Sequence, residues 1–262
     1  MGSAQGAMVR VAGKFGNAEV EIDTRGLGPA SVYVHGWGCS RHDFDAVAEV
    51  LSSSNRIVSI DLPYHGMSLS SNDRLTMADM GAIVAEVVRS QGLANVALLG
   101  HSMGSAVAIE AAKRLGSTVR RVIAVDGLTY LGVYPRQDTA TVEGVLGSFA
   151  NDFPEAIRGF VDLYTPGASQ TLKDSIAAVM LTRDPGKLIP LLGELLRWDM
   201  DAALHGCSVP ISVLASSAFL DPDALTRYGA RFEITQTDLG GHFFFMENPK
   251  ESAREIVRLL TS

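Results

Sequence analysis

Cysteine is scarce in this chain: Cys39 and Cys207 are the only two in 262 residues. They are too few and too far apart for a disulfide framework or a zinc site, so a disulfide-stapled secreted scaffold is excluded and a reducing, cytoplasmic setting is expected. Long apolar runs are absent too. No stretch could span a bilayer, and Met1-Gly2-Ser3-Ala4-Gln5-Gly6 lacks the apolar core of a signal peptide, so no membrane association is expected. Positive charge is in deficit: 22 Lys and Arg against 29 Asp and Glu give a formal charge of −7 and a pI near 5.4. Such a field repels a phosphate backbone, and no dense basic run or Arg/aromatic interleaving offsets it. No nucleic-acid partner is expected. Internal repeats and low-complexity tracts are also missing, and nothing fixes an oligomeric state.

What is present is an alternation. Apolar, β-branched runs at 9–11, 18–22, 31–34, 56–60, 96–99, 119–125, 211–215 and 232–235 read as eight strands. The later runs are short and almost wholly apolar, as parallel strands covered on both faces must be, whereas the first two are more polar and suit an antiparallel edge. Helical patterns fall at 42–51, 76–91, 103–115 and 249–260. The sum is an α/β fold: a doubly wound, mostly parallel eight-stranded sheet flanked by helices. From 127 to 207 the alternation stops, leaving helical patterns at 155–164, 172–181 and 187–196 with Phe149, Phe153, Phe160, Leu192 and Trp198 among them. That segment reads as an inserted helical cap, and 1–126 with 208–262 as one core domain.

The strongest chemical signal is Gly100-His101-Ser102-Met103-Gly104, a G-x-S-x-G that follows the strand at 96–99 and opens the Ala-rich helix at 103–115. Glycines flanking Ser102 remove the Cβ atoms that would clash in so sharp a strand-to-helix turn, which leaves the hydroxyl at a helix N-terminus. A serine hydroxyl is a weak nucleophile at neutral pH and needs an imidazole to take its proton. Six histidines compete for that role.

With these residues in place the chain resembles the α/β-hydrolase superfamily over almost its whole length. Four landmarks fall in that family's order: His35-Gly36-Trp37-Gly38 after the third strand, Asp61 to Ser68 after the fourth, the Ser102 motif after the fifth, and Gly241-His242-Phe243 after the eighth. The resemblance implies that Ser102 is the nucleophile and His242 its general base. It also implies an oxyanion hole made by the backbone N–H groups of Trp37 and Met103, which can stabilise the transition state by several kcal/mol. His101 is then a pocket or structural residue, His35 a brace for the oxyanion loop, and His42, His65 and His205 ordinary loop or surface histidines.

The acid partner is less determined. Family members most often carry it after the seventh strand, where this chain has Ser216-Ser217-Ala218-Phe219-Leu220-Asp221 with no carboxylate at the expected offset. A second family arrangement puts it after the sixth strand, and Asp126-Gly127 stands there. Asp126 is the first choice, with Asp221 and then Asp223 as rivals, or with Asp126 serving only as a helix cap. In Asp61-Leu62-Pro63-Tyr64-His65-Gly66-Met67-Ser68 a tyrosine stands where the family pattern has its first glycine. Asp61 and Ser68 read as loop ties, and Tyr64 as facing either solvent or the site.

The function implied is cleavage of an ester, thioester or lactone through an acyl-enzyme on Ser102, a carboxylic-ester hydrolase acting on a small-molecule acyl substrate with no cofactor and no metal. An aspartate replaces the serine in dehalogenases and most epoxide hydrolases, which disfavours both. Three alternatives share the scaffold: a cofactor-free dioxygenase, suggested by His101 before the serine and Asp126 after the sixth strand, a carbon–carbon bond hydrolase, and a non-enzymatic ligand sensor.

Overall fold

The computed structural model describes residues 4–262, so Met1, Gly2 and Ser3 of the N-terminal stretch considered above lie outside the described residues. The apolar runs become strands β1 (Gln5–Gly13), β2 (Gly16–Arg25), β3 (Ala30–Val34), β4 (Arg56–Ile60), β5 (Leu69–Ser70), β6 (Val96–His101), β7 (Val119–Val125), β8 (Ile211–Ser216) and β9 (Glu233–Thr237). Every one of the eight expected strands is found. The sheet has nine because the two-residue β5 also pairs with β2, too short for any periodicity to reveal it. Its main path runs β1-β2-β4-β3-β6-β7-β8-β9. The β1–β2 hairpin and the β2–β4 pairing are antiparallel, and every pairing from β4 to β9 is parallel. Strands β3, β6 and β8 are buried at every position, which is why they read as almost wholly apolar runs, with Ser31, His101, Ser212 and Ser216 as buried polar exceptions.

Helices α1 (Asp45–Leu51), α2 (Met77–Ser90), α3 (Met103–Leu115) and a C-terminal helix at Pro249–Thr261 flank the sheet. The crossover from β3 to β4 runs one way along the sheet, while those from β4 to β6 and onward run the other. Right-handed crossovers therefore put α1 on the opposite face from α2 and α3. The direction reverses between β3 and β6, which are neighbours, and the crevice beyond the carboxyl ends of such a pair is where open α/β sheets place their sites. Two of these helices carry a start signal of their own. Thr76 and Asp79 form a reciprocal capping box on α2, and the C-terminal helix begins at a proline.

Between β7 and β8 the chain makes five helices, α4 (Thr139–Asn151), α5 (Phe153–Tyr164), α6 (Gln170–Leu181), α7 (Pro185–Leu196) and α8 (Met200–His205). Three of these match the helical patterns read from the sequence. Helices α4 and α8 were not read: α4 mixes Gly144 and Gly147 into its length and buries only Val142 and Phe149, while α8 spans six residues. Two short helices follow, α9 (Pro222–Tyr228) and α10 (Phe244–Glu247), with α11 (Pro249–Thr261) completing the chain. Among the described residues no helix is long and apolar enough to cross a membrane.

Candidate active site

At the end of β6 the chain turns into α3 through Ser102, whose φ of +50° and ψ of −121° lie in a region that a non-glycine residue enters only under strain. Surrounding packing enforces the turn. A Cβ on Gly104 would sit 2.1 Å from the Val34 carbonyl oxygen, so α3 can approach β3 this closely only with hydrogen at that position. The loop after β3 comes equally near, since a Cβ on Gly36 would lie 3.2 Å from the Ser102 Cβ and 2.8 Å from His101 Nδ1. The two expected oxyanion donors, the N–H groups of Trp37 and Met103, therefore belong to segments that flank Ser102. Neither is engaged by another backbone carbonyl outside regular structure, and Met103, first residue of α3, has no carbonyl within the helix to donate to.

Asp126 follows β7 and His242 lies in the loop between β9 and α10. The structure brings them together: His242 Nδ1 is 2.7 Å from Asp126 Oδ2, both side chains buried, though 116 residues separate them. The other carboxylate oxygen, Oδ1, accepts the Ser216 backbone N–H at 2.7 Å. Asp126 itself sits at φ +49°. An Nδ1–H donated to this carboxylate would leave the Nε2 lone pair free. Asp221 and Asp223 stand elsewhere. Asp221 is the N-cap of α9, accepting from the Asp223 N–H at 2.9 Å, and Asp223 occupies that helix's first turn. The His242 backbone is held as well, its N–H donating to the Tyr164 carbonyl at 2.7 Å.

Sequence reasoning missed Tyr130. Its hydroxyl donates to Asp126 Oδ2 and lies 2.9 Å from His242 Nδ1, so it enters the acid–imidazole pair from the side. Burial, with Asp126 second, pushes the phenol far above its ordinary range and keeps it a donor. Only its position four residues past Asp126 hinted at this. Arg183 was also missed: it donates to the carbonyls of Gly38 at 3.2 Å and Cys39 at 2.7 Å, tying the α6–α7 connection to the loop after β3.

Ser102, His242 and Trp37 share one cavity of about 50 Å³ with Tyr130, Val133, Tyr134, Phe160, Tyr164, Leu192 and Leu195. Most of that wall comes from the segment between β7 and β8. The Trp37 indole N–H donates to the Leu188 carbonyl at 2.7 Å, and its ring meets Phe149 and Phe160 edge-on with centroids 5.0 and 5.9 Å away. Tyr64 is not part of this wall. It takes the left-handed backbone conformation (φ +70°) that explains a glycine in the family pattern, and its hydroxyl donates to the Asn72 carbonyl at 2.9 Å. Asp61, which accepts the Arg41 N–H at 2.7 Å, and Ser68, which accepts the Glu21 N–H at 2.8 Å, tie loops as expected. Among the described residues no group of three or more His, Cys, Asp or Glu is arranged to hold a metal ion.

His101 is wholly buried behind the site, its Nε2 3.1 Å from the His242 carbonyl. His35 braces the loop: Nε2 accepts the Leu62 N–H at 3.0 Å and Nδ1 donates to the Gly36 carbonyl at 2.7 Å. His65, read above as an ordinary loop histidine, is instead fully buried and accepts the Gly38 N–H at 3.2 Å, a role that depends on two loops meeting. His42 and His205 are exposed. Burial depresses the rings of His35, His65 and His101, His35 to about 3, with charge from His35 adding to the effect at His65 and charge from His242 at His101.

These shifts carry a stability consequence. Below about pH 6.5 the unfolded chain takes up protons at these histidines while the folded chain does not. Stability is therefore retained above that pH and falls with acidification, by up to about 1.4 kcal/mol per pH unit for each ring, continuing for His35 towards pH 3. Urea denaturation at pH 7.5 and pH 5.0 should show a clearly lower midpoint at pH 5.0. Equal midpoints would mean that these rings protonate in the folded protein.

A doubly wound sheet with a serine on a strained turn at its switch point defines the class of fold. The chain matches the α/β-hydrolase family over residues 32–255 and belongs to that family. Among curated relatives it is 27% identical over 254 residues, covering 92% of this chain and 98% of the relative, to the pimeloyl-[acyl-carrier protein] methyl ester esterase of Methylococcus capsulatus. Among solved structures it is similar to a bromoperoxidase from Bacillus anthracis (TM-score 0.85, 16% identity, 98% of this chain and 100% of that one). It is also similar to a thermophilic esterase from Thermogutta terrifontis (TM-score 0.83, 21% identity, 98% of each chain). Their differing names make the point that the shared fold does not set the reaction.

Proposed function

We propose that the protein is a carboxylic-ester hydrolase that works through an acyl-enzyme on Ser102. The observation that carries this reading is the His242 Nδ1–Asp126 Oδ2 contact of 2.7 Å beside a cavity walled by both Ser102 and His242. The methyl ester esterase activity named for full-length relatives supports it independently.

In this mechanism Ser102 Oγ attacks the ester carbonyl as His242 Nε2 takes its proton, and Asp126 stabilises the resulting imidazolium. The developing oxyanion is received by the Trp37 and Met103 N–H groups. Collapse breaks the acyl–oxygen bond, and the leaving alcohol carries away the proton from His242. Water then gives a proton to the same nitrogen as it attacks the acyl-serine, and a second collapse returns that proton to Ser102 Oγ. One ester and one water become one acid and one alcohol.

Incubation with a reactive alkyl phosphonate ester should place one equivalent of phosphonyl group on the peptide containing Ser102, with loss of p-nitrophenyl ester hydrolysis in the same proportion. Labelling elsewhere, or none on folded protein, would overturn the reading. Turnover should also be unchanged under anaerobic conditions, since no step uses oxygen. A requirement for oxygen would transfer the site to the dioxygenase chemistry. His101, whose position first raised that alternative, is not among the cavity walls.

A further inference from the structure

The cavity at Ser102 holds only about 50 Å³, whereas sites that enclose a small organic ligand commonly occupy roughly 300–1,000 Å³. The bulk of any substrate must therefore lie elsewhere. Immediately beside it is a second recess of about 340 Å³, and the two share five walls: Trp37, Val133, Phe160, Tyr164 and Leu192. The recess lies between α4, which contributes Ser148 and Phe149, and α5, which contributes Gly159 and Leu163.

We infer that this α4–α5 recess is the binding site for an uncharged apolar arm of the ester substrate, extending from the scissile bond past Trp37. The inference rests on the ester-hydrolase reading only for what sits at Ser102. Its own support is the chemistry of the walls. No Asp, Glu, Lys, Arg or His lines the recess, and the Ser148 hydroxyl is already donated to the Val145 carbonyl at 2.8 Å. A carboxylate carried into such surroundings would shed part of its hydration and find no cationic partner there. A hydrocarbon chain or ring would gain contact with Phe149, Phe160 and Leu163, and it would cover Leu163, now 64% exposed at the rim. Trp37 lines both compartments, and its indole N–H bond to Leu188 holds the ring in place.

Gly159 makes the site testable. A Cβ there meets no atom within 4 Å, so a side chain can be introduced at this point of the wall without a clash at its base. Ser148, exposed on the facing helix, offers the same test from the other side. The probes are methyl octanoate, octyl acetate, methyl acetate and monomethyl suberate. Binding to Ser102→Ala protein is measured by calorimetry, and hydrolysis is measured with Ser102 intact.

Because each methylene accepted by an apolar site is worth about tenfold or more, at least one eight-carbon ester should bind at least tenfold more tightly than methyl acetate. Monomethyl suberate, of the same chain length as methyl octanoate but ending in a carboxylate, should bind at least tenfold more weakly than it. Gly159→Phe and Ser148→Phe should each cut the eight-carbon preference at least tenfold. Chain-length-independent binding, equal binding of the carboxylate-ended ester, or a preference unaltered in both variants would each overturn the inference. Chain-length-dependent binding with no turnover of any ester would leave the recess standing and remove the ester-hydrolase reading. Turnover that depends on Ser102 but not on chain length would do the reverse.

Discussion

Ser102→Ala should lower kcat for p-nitrophenyl acetate by a factor on the order of a millionfold, down to what the oxyanion donors and binding alone supply. Its fold should survive, because the Ser102 side chain is not among the hydrogen-bonding groups of the protein and only its backbone is used: the N–H donates to the Val125 carbonyl at 3.1 Å, and the carbonyl accepts from the Ser105 N–H at 2.8 Å and from Tyr134 Oη at 3.1 Å. The backbone adds a second readout. At φ +50° and ψ −121° any Cβ is strained, at a cost of about 1–3 kcal/mol, so alanine inherits the strain and glycine releases it. Ser102→Gly should therefore be inactive yet more stable than wild type by about 1 kcal/mol, after allowing for the greater unfolded-state entropy of glycine. Chemical denaturation of the three proteins, run beside the kinetic assay, separates the two effects. Substantial activity in Ser102→Ala would move the nucleophile elsewhere, and a Ser102→Gly protein less stable than Ser102→Ala would deny that the turn is strained.

Strain of this kind was legible because it leaves a compositional trace, glycine on either side of one serine between an apolar run and an alanine-rich run. The sheet was legible for a related reason. Strands buried on both faces must be largely apolar, and β3, β6 and β8, buried at every position, admit few polar side chains. Where burial is partial or an element is short, the trace fades. Strand β5 has two residues, α8 six, and α4 buries only Val142 and Phe149 of thirteen, so no period could emerge. Tyr64 shows the opposite case. The departure from the family's glycine was visible, yet the backbone still adopts the conformation a glycine would take.

For the candidate site, the sequence pointed to residues held by local motifs and left open those held by distance. Ser102 and His242 sit in glycine-marked turns. Asp126 had two rivals because nothing local tells a strand-end acid that meets an imidazole from one that caps a helix, and the capping role belongs to Asp221. Tyr130 left only the hint of its spacing from Asp126 and Arg183 none, since each acts through packing of the chain between β7 and β8 against the loops of the core. His65 was misjudged on the same ground, its burial arising where the loops after β3 and β4 meet.

Asp126→Asn should reduce kcat by about 10⁴-fold while the protein remains folded. The carboxylate accepts from His242 Nδ1, from the Tyr130 hydroxyl and, through Oδ1, from the Ser216 N–H. Asparagine can still accept from Ser216 with its carbonyl oxygen, which preserves the β7–β8 junction, but it then turns an amide N–H towards His242 Nδ1. That favours the tautomer protonated at Nε2, which has no lone pair for the Ser102 proton, and it removes the charge that stabilises the imidazolium. Tyr130 does not substitute. Its hydroxyl stands within reach of Nδ1 at 2.9 Å, but it carries no charge, since burial holds the phenol protonated far beyond the assay range. The activity of Asp126→Asn should therefore stay low from pH 6 to pH 9. Asp221→Asn, which alters only the cap of α9, should keep wild-type kcat and lose at most about 1 kcal/mol of stability. Near-normal turnover in Asp126→Asn, or a large loss in Asp221→Asn with the fold intact, would transfer the acid's role away from β7.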